Sequence, residues 1–181
     1  MPVLTRIVVI GVGNPFRRDD GVGPAVVTRL ERYARRGRLP AGVRLVGCDG
    51  EPGRLIGLWQ GAGLAVVVDA AHTRPGRPGR VHRLDPGGCP APRTGVASGH
   101  GLGLAEAVEL GRALGRMPGH LVVYAVEGAD GSLGTGLSPA VAAAVEPVAR
   151  RVADEIAQHL RRARAAAGGR ALRRPARHPG G

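Results

Sequence analysis

The chain has 181 residues, which suits one domain with a sizeable core and leaves little room for two. Its 26 basic residues are all Arg, and against 14 acidic residues they give a formal net charge of +12. Seven of those Arg lie beyond residue 160 with no acid among them, and one Phe, two Tyr and one Trp are too few for a stacking platform, so specific nucleic-acid binding is not expected.

Residues 7–10 are apolar at consecutive positions, the pattern of a strand buried on both faces, and they run into Gly11-Val12-Gly13-Asn14. A loop with Pro15, Arg17, Arg18, Asp19 and Asp20 follows, and Val22, Val26, Leu30 and Tyr33 then fall at helical spacing. A second strand is predicted over 43–48, and Leu55, Ile56, Leu58 and Trp59 predict a short helix. A third apolar run over 64–68 is closed by Asp69. Residues 72–99 are rich in Gly, Pro and Arg, with one short strand predicted over 80–84. A helix is predicted over 102–114, where Leu102, Glu106, Leu110 and Leu114 step by four, and a strand over 121–126. Ser138-Pro139 reads as a helix start, and Val141, Val145, Val148, Val152, Ile156 and Leu160 form the apolar stripe of that last helix.

The alternation of strands and helices predicts an α/β fold with a largely parallel sheet over residues 1–164. Residues 165–181 have no apolar periodicity and are expected to be a disordered Arg/Gly/Pro-rich tail. No secretory signal is read ahead of the first strand, and no stretch reaches the roughly 18 apolar residues of a membrane span. The expectation is a cytoplasmic protein without a membrane partner. Cys48 and Cys89 are too few for a disulfide framework and lack the neighbouring His of a thiol nucleophile.

Ligands of open α/β sheets gather at the carboxyl ends of the strands. Asn14, Asp19 and Asp20 follow the first strand, Asp49 the second and Asp69 the third, while Ser98 and His100 precede a helix. Carboxylates and an imidazole on one rim make a plausible oxygen and nitrogen site for a transition metal. Each also has a plainer reading. Asp19 and Asp20 suit a helix N-terminus, Asp69 a turn cap, and His100 an ordinary loop histidine. His72 is a further possible contributor, whereas His82, His120, His159 and His178 read as surface or strand-edge residues. Gly11-Val12-Gly13 falls short of a dinucleotide fingerprint, because Phe16 stands at the third glycine position and the loop is acidic.

Taken together, four segments resemble the hydrogenase maturation protease family. They are the run from Val9 through Gly11-Val12-Gly13-Asn14-Pro15 and Asp19-Asp20-Gly21 to Gly23, then Val67-Val68-Asp69-Ala70, then Ser98-Gly99-His100-Gly101-Leu102-Gly103-Leu104, and finally Val123-Tyr124-Ala125-Val126-Glu127 with Gly136-Leu137-Ser138-Pro139. They occur in the family's order and spacing over roughly residues 6–160. The resemblance implies a three-layer α/β/α sandwich with a mostly parallel central sheet. It implies an aspartic-type endopeptidase that removes the C-terminal extension of a nickel-iron hydrogenase large-subunit precursor, the expected partner, after nickel insertion. It also implies metal contact at Asp20, Asp69 and His100. The nickel is then carried by the substrate, with no permanently bound cofactor. Asp49 matches a further acidic position implied to assist cleavage beside Asp20 and Asp69. Two departures are visible: Asp20 stands where members carry Asp or Glu, and Gly50-Glu51 replaces a commoner pair of glycines.

Two other functions fit parts of the chain. Peptidyl-tRNA hydrolases also open with a strand and Gly-x-Gly-Asn-Pro, but here no His precedes His72 to serve as their catalytic base. A non-cleaving chaperone that binds nickel or the hydrogenase would use the same ligands without cutting.

Overall fold

The computed structural model describes residues 6–86, 97–98 and 101–171. Its sheet contains β1 (Ile7–Val12), β2 (Val43–Cys48), β3 (Leu64–His72), β4 (Val81–Leu84), β5 (Ala97–Ser98) and β6 (Leu121–Glu127). The strand order is β2-β1-β3-β6-β4, with β5 added beside β3. Strands β2, β1, β3 and β6 are parallel, β4 runs antiparallel to β6, and β5 pairs antiparallel with Ala71 and His72 of β3.

Helices cover both faces. Even and odd positions of the inner strands point to opposite sides, and each side has its own core. Ile7, Val9, Val66, Val68, Val122 and Tyr124 pack with α1 (Val22–Arg35) and α4 (Pro139–Ala171). Val8, Ile10, Ala65, Val67, Leu121 and Val123 pack with α2 (Pro52–Trp59) and α3 (Gly101–Ala113). This double burial is why β1 and β6 read as unbroken apolar runs. The expected α/β/α sandwich is the fold.

Three expectations are corrected. Strand β3 does not stop at Val68 but continues through Asp69 to His72. Pairing on both sides carries it on, since Ala71 faces Glu127 of β6 and Ser98 of β5. Helix α3 is present, yet Leu110 and Leu114 of the predicted stripe are exposed, and the buried face is Leu104, Ala107 and Val108. Small residues seat that face closely. A Cβ on Gly103 would overlap the carbonyl of Gly50, and one on Gly111 would lie 3.0 Å from Met117 Sδ. Finally, α4 runs past residue 165 to Ala171. Ala and Arg are strong helix formers, so an already nucleated helix extends there without an apolar stripe. The rest of the expected tail, 172–181, lies outside the described residues.

Candidate active site

The chain leaves β1 toward β2 on one side and returns to β3 on the other, which opens a crevice at the carboxyl ends of β1 and β3. At that exit Gly13 adopts φ 132° and donates its N–H to the Cys48 carbonyl at 3.0 Å. Any side chain at Gly13 would overlap the Asp20 carbonyl, so glycine lets the chain fold back on the strand end. Asn14 then serves two purposes. Its Oδ1 accepts the Phe16 N–H at 2.9 Å, closing an Asx turn, and its own N–H donates to Asp20 Oδ2 at 2.8 Å.

Asp19 and Asp20 occupy a 3-10 turn (Arg18–Gly21) that leads directly into α1, and both are buried. The turn packs against β3, the strand that carries the fully buried Asp69. Gly23, in the first turn of α1, makes this approach possible: a Cβ there would lie 2.6 Å from both Val12 N and the Val68 carbonyl oxygen. The turn that carries Asp20 thus contacts the strand that carries Asp69.

The remaining predicted site residues divide. Asp49 follows β2 on the same rim but faces solvent, with its side chain 67% exposed. Its Oδ1 accepts the Glu51 N–H at 3.4 Å, and Arg54 lies 3.8 Å from Oδ2. The Glu51 N–H is the main cause holding the Asp49 carboxyl below its ordinary value. Glu51 is the N-cap of α2, where its carboxylate accepts from Gly53 and Arg54 at 2.8 and 2.7 Å. His100 and Cys89 lie outside the described residues. On the near side of His100 the backbone of Ser98 pairs with Ala71, two positions beyond Asp69. On its far side Gly103 abuts Gly50. His72 does not join Asp69, because alternation along β3 turns it to the α1/α4 face. There its Cε1 lies against Gly128 and Gly131.

Two carboxylates carry roles the sequence did not assign. Asp19 accepts the N–H groups of Ala129 (2.8 Å), Asp130 (3.0 Å) and Ser138 (2.6 Å), and the Ser138 hydroxyl at 2.9 Å. Burial pushes its carboxyl up, but these donors outweigh burial and hold it below the ordinary value. It thus fastens the loop after β1 to the loop between β6 and α4. Glu127 is buried at the end of β6 and accepts from Arg77 N–H (2.5 Å) and Thr73 Oγ1 (2.7 Å), with His82 Nε2 at 2.6 Å. The Arg77 N–H, then His82, draws its pKa down to about 2. Glu127 ends an apolar strand as Asp69 interrupts one, and it closes the 123–127 segment of the family resemblance, but neither signal assigned it a role.

Among the described residues, the chemistry open to this crevice is that of carboxylates. Cys48 is buried, and burial followed by the negative charge of Asp49 pushes its thiol up, away from the thiolate a nucleophile needs. Among the described residues no three side chains of His, Cys, Asp or Glu form a group able to hold a metal ion. His100, the third expected ligand, is not among those residues.

The sequence profile of the hydrogenase maturation proteases matches residues 24–155. The chain is 31% identical to the hydrogenase 2 maturation protease of Escherichia coli (strain K12) over 148 residues, covering 81% of this chain and 88% of that one. Its fold matches the hydrogenase maturating endopeptidase HybD from E. coli with a TM-score of 0.66 at 30% identity, covering 81% of this chain and 89% of the other. A NiFe hydrogenase maturation protease, HybD from Thermococcus kodakarensis, shares the fold with a TM-score of 0.63 at 23% identity, over 83% and 98% of the two chains. These likenesses make the chain a peptidase, an endopeptidase of hydrogenase maturation. It belongs to the hydrogenase maturation protease family. Neither the peptidyl-tRNA hydrolase nor the non-cleaving chaperone is needed to account for it.

Proposed function

We propose that this peptidase removes the C-terminal extension of a nickel-iron hydrogenase large-subunit precursor after nickel has been inserted. Asp20, Asp69 and His100 are its contacts to the nickel that the substrate carries, and the enzyme holds no cofactor of its own. The observation that supports the reading is that Asp20 and Asp69 are both buried, on a 3-10 turn and a strand that contact each other. Hard carboxylate oxygens with one imidazole suit a divalent transition metal whose other positions are filled by its own protein.

Peptide hydrolysis needs a polarised carbonyl and an oriented water. A carboxylate in the crevice accepts a proton from water as its oxygen adds to the scissile carbonyl carbon. The same proton passes to the departing amine as the carbon–nitrogen bond breaks. Asp49, exposed on the rim, assists cleavage beside Asp20 and Asp69 by meeting the extension as it crosses toward Asp20. In this sense the reaction is of the aspartic type, and the same reading places it in the cytoplasm.

The test is to mix the purified protein with nickel-loaded precursor and to follow release of the C-terminal peptide by mass. Wild type releases the peptide, and nickel-free precursor stays intact. Asp20→Asn, Asp69→Asn and His100→Ala each slow release by about 100-fold or more, the scale of losing a group that positions the reacting atoms. Normal release by a folded variant removes that residue from the mechanism, and cleavage of nickel-free precursor removes the nickel requirement.

A further inference from the structure

The large hydrophobic side chains exposed among the described residues are Phe16 (67%), Leu133 (76%), Leu110 and Leu114. Leu110 lies in the last turn of α3 and Leu114 just beyond its end, away from the crevice. Phe16 and Leu133 lie on two loops at the crevice rim, and these loops are joined. Arg17 and Gly134 form a parallel bridge, with Gly134 N–H donating to the Phe16 carbonyl (2.9 Å) and Arg18 N–H to the Gly134 carbonyl (3.0 Å). Phe16 and Leu133 immediately precede the two bridged residues, Arg17 and Gly134. Arg18 takes a left-handed φ of 44° to make the connection, and its guanidinium pairs with Asp130 at 3.3 Å. The buried Asp19 clamps the same two loops with hydrogen bonds to Ala129, Asp130 and Ser138.

Much bonding is thus devoted to holding two apolar side chains in water, where neither supports the core. Ordering them in advance lowers the cost of binding. The patch is also continuous with the crevice: Phe16 N–H is held by the Asn14 side chain, and Asn14 N–H holds the carboxylate of Asp20. A polypeptide that presents a scissile bond at Asp20 must cover this rim. A second copy of the chain seated there would instead close the entrance.

We propose that Phe16 and Leu133 form a docking knob for the precursor, seated in an apolar depression on its folded surface next to the scissile segment, with the exposed Arg17 meeting polar groups at the edge. The inference rests on the proposed precursor substrate and adds how that substrate is held.

The experiment measures both the affinity of purified nickel-loaded precursor for the protein, by calorimetry, and the kinetics of peptide release. The double variant Phe16→Ser/Leu133→Ser weakens binding and raises KM by about tenfold or more, with kcat at saturation unchanged, as expected when anchors of an interface are cut back. Phe16→Leu, which keeps apolar bulk, retains most of the affinity. Leu110→Ser/Leu114→Ser, which removes similar exposed surface at the other end, binds and cleaves as wild type does. A folded Phe16→Ser/Leu133→Ser variant with wild-type affinity and KM overturns the docking knob while leaving cleavage intact. Tight binding without release, lost on that double substitution, overturns the cleavage reading while the knob stands. A wild-type protein that sediments as a dimer, and becomes monomeric on the same substitution, overturns the knob in favour of self-association.

Discussion

The loops leaving β1 and β2 start side by side, with Val12 and Cys48 in register, but they are built in opposite ways. After β1, glycines at 13 and 23 let backbone meet backbone, and two buried carboxylates lie beneath. After β2, the carboxylates of Asp49 and Glu51 stand in the open, one spanning an ion pair of 3.8 Å and the other capping α2. The difference separates a mount from a rim. A site that must present carboxylates in fixed positions needs the first kind of loop. A surface that meets a moving chain tolerates the second.

The largest break in that contrast should come from Gly23→Ala. The new Cβ would meet backbone atoms of both β1 and β3, none of which can swing aside as a side chain would. A cost at or above the ~3 kcal/mol end of overpacking is expected, read as a large loss of melting temperature or of soluble protein. A variant that melts like wild type would mean the approach of α1 to the strands is looser than described.

Asp19→Asn should follow. The amide offers one acceptor oxygen where two were used, and turns an NH2 toward backbone N–H groups that need an acceptor. The expected cost at neutral pH is about 2–3 kcal/mol, seen in thermal or urea unfolding. The sign of its pH dependence is fixed by the direction of the shift. Because the folded carboxyl is held below 3.8, its contribution is fully present above that pH and is lost as pH falls through the lower folded value. Wild type and Asp19→Asn should therefore converge in melting temperature in strong acid. A gap that stays constant from pH 7 to pH 3 would show that the ionised carboxylate is not what fastens the two loops.

These same residues show what a sequence can carry. The outline of the sheet was legible because burial on both faces forces unbroken apolar runs, as in β1 and β6. The burial of Asp69 was legible as well, because it sits directly at the end of such a run and continues a strand buried on both faces. What stayed hidden depended on contacts between distant segments. Strand β3 outlasts its apolar run only because β5 and β6 flank it. The buried face of α3 is Leu104, Ala107 and Val108, flanked by the close approaches of Gly103 and Gly111, and the predicted step of four through Leu110 and Leu114 misses it. Asp19 and Asp20 are neighbours of one residue type. Only the fold shows that Asp19 serves the loop at Ser138 while Asp20 turns toward Asn14.

The smallest expected effects belong to the open rim. Glu51→Ala removes the acceptor for the Gly53 and Arg54 N–H groups at the start of α2, so about 1 kcal/mol is expected, a fall of roughly 2–4 °C in melting temperature for a chain of this size. Asp49→Asn should stay within about 0.5 kcal/mol, because its partners are long and its side chain lies in water. The order of the pair matters more than either value. If Asp49→Asn proves the more destabilising, Asp49 belongs to the mount and not to the rim. If it leaves stability untouched yet slows peptide release, its carboxylate serves the substrate, and a surface that contributes almost nothing to folding is still required for the reaction.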